Sequence, residues 1–202
     1  MITIIDYGLG NIQAIANIYR HLDIPFCIAS SSGELARAEK IILPGVGAFD
    51  WAMTRLNESG MRYTLDDLVA GKRKPVLGIC VGMQMMAKRS DEGILPGLGW
   101  INAEVRKFDA KARKIQLPHM GWNDVTPRNT GCLFRGLYSA ARFYFLHSYY
   151  FVAALENDVL AVTDYNGPFA SSVRSGNIFG VQFHPEKSHK WGIQLLKNFA
   201  EI

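Results

Sequence analysis

Among the three cysteines, five histidines and 18 acidic residues of this chain, two short stretches arrange such groups for covalent chemistry. The first is Gly78-Ile79-Cys80-Val81-Gly82, which follows the apolar run Pro75-Val76-Leu77. A strand that turns sharply into a helix at a glycine-x-nucleophile-x-glycine corner exposes the nucleophile at the carboxyl edge of a sheet. The glycines let the backbones approach, and the nucleophile is forced into an unfavourable backbone region. The helix N-terminus beneath favours a thiolate, and the Val81 N–H, one residue on, is placed to donate to an oxyanion. The second stretch is Phe179-Gly180-Val181-Gln182-Phe183-His184-Pro185-Glu186, read as a strand that Pro185 ends because proline brings no N–H to a ladder. A thiol nucleophile needs a base to take its proton and an acid to fix the base's tautomer. Cys80, His184 and Glu186 supply those roles in that order.

The remaining groups fit plainer roles. His21 ends a helical pattern, His189 opens one, and His119 and His147 sit in strand-rich stretches as satisfied structural groups. Met83, Met85 and Met86 read as core filling, and Trp51, Trp100 and Trp191 as core or rim packing. Tyr149 and Tyr150 are expected to alternate across a strand with one face buried. Cys27, Cys80 and Cys132 are odd in number, widely spaced and form no CxxC pair, which argues against a zinc site and a disulfide framework.

The elements that must position the two stretches follow from the apolar pattern. Ile2-Thr3-Ile4-Ile5, Pro25 to Ala29, Ile41-Ile42-Leu43 and Pro75 to Ile79 are strand-like runs. Between them lie helical patterns marked by Ile12, Ile15, Tyr19 and Leu22, and by Trp51, Arg55 and Leu56; Met83 to Lys88 is expected to continue the corner as a helix. Apolar strands alternating with amphipathic helices imply a parallel sheet covered on both faces. The second half changes to strands joined by turns: Gly99 to Val105, Trp122 to Val125, Phe143 to Phe151, Val159 to Thr163, Ala170 to Val173 and Ile178 to Phe183, with a turn at Asn166-Gly167. A last helix carries Trp191, Leu195 and Phe199 on one stripe. The whole reads as an α/β core with an antiparallel extension.

With 202 residues the chain suits one domain spanning 1–202. Its net charge of +4 includes no long basic run; the densest cluster, Gly71-Lys72-Arg73-Lys74-Pro75, reads as a solvated link. Nucleic-acid binding is therefore weakly supported. No stretch of ~18 apolar residues is present, and no signal peptide is visible at Met1 to Asp6, so a cytoplasmic protein without membrane association is expected.

The Gly-Ile-Cys80-Val-Gly-Met-Gln84 and Gln-Phe-His184-Pro-Glu186 strings together resemble the class I (triad) glutamine amidotransferases, and Leu43-Pro44-Gly45-Val46-Gly47-Ala48-Phe49 resembles their oxyanion loop. Asp6-Tyr7-Gly8-Leu9-Gly10-Asn11, Pro118-His-Met-Gly-Trp-Asn123, Phe145-Leu-His-Ser-Tyr149 and His184-Pro-Glu-Lys-Ser188 are similar to the glutaminase subunits of imidazole glycerol phosphate synthases. The resemblance implies a three-layer, flavodoxin-like fold with a mixed, largely parallel sheet. It implies hydrolysis of glutamine to glutamate and ammonia through a γ-glutamyl thioester on Cys80. His184 would be base and then acid, oriented by Glu186. Val81 with Val46 and Gly47 would form the oxyanion hole, and Gln84, Gly47, Ser148 and Tyr149 would hold the amino-acid end of the substrate. The ammonia would pass to a (βα)8-barrel cyclase subunit, HisF, in a heterodimer, with Asn11, Trp122 and Lys187 at the interface. No metal or other cofactor is implied, because thioester chemistry needs none.

A closed route to a partner suits such chemistry, since free ammonia is lost as ammonium in water. A Pro44-Gly45-Val46-Gly47 loop can flip a peptide at low cost, which suits a gated oxyanion hole, with Gly45 as the residue to test. Three other readings share parts of the pattern: a similar glutaminase feeding a surface-sugar amidotransferase synthase, a stand-alone cysteine hydrolase, and a non-catalytic interaction module. The partner that co-purifies separates the first, labelling of Cys80 by a glutamine-like electrophile the second, and the effect of Cys80→Ala the third.

Overall fold

The computed structural model describes residues 1–128, 131–137 and 141–202. Its elements run β1 (Ile2–Ile5), α1 (Ile12–His21), β2 (Phe26–Ala29), α2 (Ser32–Leu35), β3 (Lys40–Gly45), α3 (Phe49–Glu58), α4 (Arg62–Asp66), β4 (Val76–Cys80), α5 (Val81–Gln84), β5 (Arg89–Ser90), β6 (Ala103–Lys107), α6 (Ala110–Arg113), β7 (His119–Asp124), β8 (Thr126–Pro127), β9 (Arg142–His147), β10 (Tyr149–Ala153), β11 (Val159–Asp164), β12 (Pro168–Ser175), β13 (Ile178–Val181) and α7 (His189–Glu201). The main sheet has the order β2-β1-β3-β4-β13-β12-β10-β6-β5, with β11 and β8 branching from β12.

From β2 to β13 every neighbouring pair is parallel. Strands β1, β4 and β13 are buried at every position, as expected where helices cover both faces. The α1 stripe (Ile12, Ile15, Tyr19) is buried, and the Tyr19 hydroxyl donates to the Leu196 carbonyl of α7, joining these two helices. In α7, Leu195 and Phe199 of the expected stripe are fully buried, and Trp191 is half-buried. The antiparallel extension begins at β12, which pairs with β13 and β10. The expected Asn166-Gly167 turn joins β11 to β12, with positive φ at both residues.

The structure differs from the sequence reading in three places that matter to the site. The helix after Cys80 is a single turn ending at Gln84 and does not reach Lys88. The N–H groups of Leu98, Ile101, Gly99 and Gly97 take the carbonyls of Met85, Met86, Ala87 and Lys88, which a longer helix would have used itself. The apolar run Phe143 to Phe151 breaks at Ser148: β9 pairs with β7 in a separate two-stranded ribbon, and β10 joins the main sheet. β13 ends at Val181, short of Pro185, and the pairing of His184 with a strand is an isolated bridge to Tyr144. Among the described residues, no helix is long and apolar enough to cross a membrane.

Candidate active site

Cys80 ends β4 with φ 56 and ψ −114. A side-chain-bearing residue holds such a backbone only where its surroundings over-determine it. Two glycines provide that enclosure. A Cβ on Gly78 would lie 2.6 Å from Met86 Cε and 2.7 Å from the Gly82 carbonyl, and one on Gly82 would lie 2.0 Å from the Leu43 carbonyl. α5 is therefore pressed onto β3 and β4 at the corner, and Gly45 is the register partner of Cys80. The buried Tyr7 hydroxyl donates to the Pro44 carbonyl at 2.7 Å, which fastens the root of the Gly45-Val46-Gly47 loop. Within that loop the conformational freedom sits at Gly47, whose φ is +90 and whose added Cβ would meet only Trp51 Cδ1 at 3.9 Å. Gly45 is instead packed against the Gly82 nitrogen, 2.5 Å from an added Cβ, so substituting it breaks packing before it reports on any flip.

His184 reaches the same place by a different device. Its N–H donates to the Tyr144 carbonyl, and the Ser188 hydroxyl accepts from the Tyr144 N–H and donates to the His184 carbonyl. Gly192 lets α7 approach Pro185 closely, since a Cβ there would lie 1.8 Å from the Pro185 carbonyl. The imidazole Nδ1 bonds Glu186 Oε1 at 2.8 Å, and Asn11 Nδ2 donates to the same oxygen at 2.7 Å. Burial disfavours charge on the His184 ring, but its interactions with Cys80 and Glu186 outweigh it and push the ring up to about 10. Burial likewise opposes ionisation of Glu186, yet His184 and Asn11 hold its carboxyl below the usual range. With Nδ1 engaged, Nε2 is the ring nitrogen left to exchange a proton with the sulfur.

A cavity of about 530 Å³ opens over Cys80 and His184. Asn11, Val46, Gly47, Val81, Gln84, Ser148, Tyr149 and Lys187, all singled out in the sequence, also line it. Glu186 lies beneath, fully enclosed behind His184. Trp122 stands outside the cavity on β7, 41% exposed, stacked on His189 and meeting the Tyr144 ring edge-on; Lys187 Nζ lies 5.6 Å from the centre of that same Tyr144 ring. Tyr149 and Tyr150 do not divide into one buried and one exposed face. Both are half-buried, Tyr149 at the cavity and Tyr150 stacked on Phe108.

The sequence reading gives four residues at the site no part in it, although Gln182, Leu146 and His147 lie inside the strings that carry the resemblance. Glu92 lines the cavity and accepts the Phe49 N–H; burial, with Asp50 nearby, raises its carboxyl. Gln182 is fully buried, donates to Cys80 Sγ at 3.8 Å and accepts from Gln84 Nε2 at 3.0 Å. Leu146 and His147 form the wall at the end of β9. None stands at a spacing that marks chemistry; each is delivered by a loop or strand that sequence periodicity places only in outline.

The site brings together a thiol, an imidazole and a carboxylate, the groups a thiol hydrolase uses, on a sheet that is parallel through the elbow. The chain belongs to the class-I glutamine amidotransferases, whose family model matches residues 3–202. Over its full length it is 58% identical to the imidazole glycerol phosphate synthase subunit HisH of Bdellovibrio bacteriovorus and 50% identical to that of Leptospira interrogans, each covered in full. It is 46% identical to HisH 2 of Pseudomonas aeruginosa, again over all of both chains. Solved structures of similar fold include a putative GMP synthase protein from Thermoplasma acidophilum (TM-score 0.74, 22% identity, 99% of this chain and 92% of that one). Another is PurLQS from Thermotoga maritima (TM-score 0.71, 17% identity, 99% and 97%).

Proposed function

We propose that residues 1–202 act as one domain, the glutaminase subunit of an imidazole glycerol phosphate synthase, working in the cytoplasm in histidine biosynthesis. The observation that carries this reading is Cys80 on its strained corner, sharing a cavity with a His184 ring held by Glu186, in a chain with full-length relatives named HisH.

The geometry supports the following course. The Cys80 sulfur attacks the side-chain carbonyl carbon of glutamine, and its proton goes to His184 Nε2. The negative charge that develops on the carbonyl oxygen meets the Val81 N–H and an N–H of the Val46–Gly47 segment; one such donor is typically worth ~3–4 kcal/mol. His184 returns the proton to the leaving nitrogen, the C–N bond breaks, and ammonia departs from a γ-glutamyl thioester. Water, deprotonated by His184, then cleaves the thioester to glutamate and regenerates the thiol. Glu186, itself held by Asn11, keeps the ring oriented throughout.

The substrate's amino-acid end fits the far wall. Both N–H bonds of Gln84 are engaged, by the Tyr149 carbonyl and by Gln182 Oε1, so this side chain offers its own Oε1 to an ammonium group, together with the Glu92 carboxylate. Backbone N–H groups of Ser148 and Tyr149 are the donors for the α-carboxylate. The partner is the (βα)8-barrel cyclase subunit HisF, docking where Asn11, Lys187 and Leu146 line the cavity and the exposed Met120 and Trp122 continue along the β7–β9 ribbon.

The test is glutamate release measured with and without the ribotide substrate and a purified cyclase subunit. We expect strong stimulation by the pair, and a loss of at least ~10³-fold in Cys80→Ala. Turnover indifferent to the cyclase, or surviving the Cys80 substitution, overturns the reading.

A further inference from the structure

Behind the cavity lies a second pair of histidines that the reaction above does not use. His119 on β7 and His147 on β9 are register partners, both buried, with His119 Nδ1 2.9 Å from His147 Nε2. The hydrogen-bond partners at the two ends fix every proton. The Tyr149 carbonyl, 2.7 Å from His147 Nδ1, can only accept, so His147 carries its hydrogen on Nδ1. A neutral His147 then accepts at Nε2, so His119 must donate from Nδ1 and accept at Nε2. Asn123 Nδ2, 3.1 Å away, donates there and also to the Asp164 carbonyl, while Asn123 Oδ1 takes the Asp124 N–H. A third proton anywhere in this chain sets two donors face to face. Burial disfavours charge on both rings in the same sense, down to about 4 for His119 and about 3 for His147. Stacking on Phe145 and Tyr165 fixes the plane of His119.

The chain ends on the carbonyl that also accepts from Gln84, and it spans the Ser148 break where the backbone leaves the ribbon for the main sheet. We propose that His147, supported by His119 and Asn123, is a positioning residue that holds the Ser148–Tyr149 corner against Gln84 and so shapes the amino-acid end of the glutamine pocket. The proposal rests on the glutaminase reading. The relay also runs from β7, beside the exposed Trp122, to the pocket wall, so the docking ribbon and the substrate corner are one hydrogen-bonded unit.

Two measurements on the full chain test it. The first compares alkylation of Cys80 by acivicin, which carries a glutamine-like amino-acid end, with alkylation by iodoacetamide, which has none. In His147→Gln, whose amide cannot occupy the Nδ1 position, we expect the acivicin concentration for half-maximal rate to rise about tenfold, as for one lost hydrogen bond, with the iodoacetamide rate within about twofold. His147→Asn, whose amide nitrogen falls near Nδ1, should recover most of that loss. His119→Phe keeps the stacking and should give a shift of about threefold in the same direction. The second measurement reads ring tautomers by nitrogen-15 NMR at neutral pH, where both histidines should be neutral with the proton on Nδ1. An unchanged half-saturation in His147→Gln, an equal loss with iodoacetamide, or an Nε2–H tautomer at His147 overturns the proposal. Saturation by acivicin that is absent even in the unsubstituted protein, with iodoacetamide still reacting, removes the glutaminase reading instead and this pocket role with it. The tautomers then still report whether the pair is built as described.

Discussion

Two histidine pairings meet at one cavity and are held in opposite states. At the His184–Glu186 end Cys80 and a buried carboxylate, itself braced by Asn11, face the ring and favour the imidazolium. At the His119–His147 end, carbonyls and an amide replace the carboxylate, and burial leaves both rings neutral. On the reading proposed above, the same side chain is a proton carrier in the first place and a fixed strut in the second. What decides is whether a negative charge lies within hydrogen-bond reach. The contrast also separates duties: a base must change charge during turnover, whereas a wall that holds the substrate must not.

The sharpest way to break the contrast is to remove the charge at the first end. Glu186→Gln should lower glutamine hydrolysis by at least ~100-fold, because the ring loses its orienting acid. Its NMR titration should show His184 falling from about 10, with the part of the rise that Cys80 supplies retained. A rate loss without a fall in the ring's titration would mean that the carboxylate acts otherwise than on His184.

Next in size is the corner on which the first pair depends. Gly82→Ala places a Cβ 2.0 Å from the Leu43 carbonyl, and should cost about 3 kcal/mol in urea unfolding. Gly47→Ala, with open space around it, should cost about 1 kcal/mol or little more, from backbone strain alone. Equal losses at the two positions would contradict the packing described for α5 on β3.

A further contrast is the pH dependence of stability, where the two ends have opposite signs. His119 and His147 titrate lower when folded, so the unfolded chain takes up protons that the folded one refuses. Their contribution is complete above about 6.5 and falls away as pH drops toward 4 and then 3. His184 is raised, so its contribution is complete below about 6.5 and is lost as pH climbs through about 10. Melting temperatures between pH 4 and 10 should show His147→Asn flattening the acid limb and Glu186→Gln the alkaline one. The reverse assignment would undo the comparison.

Much of the first end is legible directly. Gly78, Cys80 and Gly82 are adjacent in sequence because one backbone corner needs all of them, and His184 and Glu186 sit two residues apart because one short turn delivers both. Local constraints leave local traces. The route to His184 leaves less: the ladder stops at Val181, and what holds its backbone is Ser188, four residues on, together with Tyr144, which both groups reach across the fold. His119 and His147 read as satisfied structural residues, which is true of their bonding. That their bonds end on the pocket wall is hidden in the sequence, because Phe143 to Phe151 looks like one apolar strand until Ser148 sends its halves into different sheets.

The chain's own order of residues therefore determined the parallel core, the thiol on its corner and the imidazole–carboxylate pair, since each follows from periodicity or from neighbours a few positions apart. Only the folded molecule decided that Asn11 braces Glu186, that Glu92 reaches the cavity and Gln182 the Cys80 sulfur, and in which direction each buried histidine is pushed. Those outcomes depend on burial and on partners far away in sequence, and a protonation state is set by the field of whatever tertiary packing brings near.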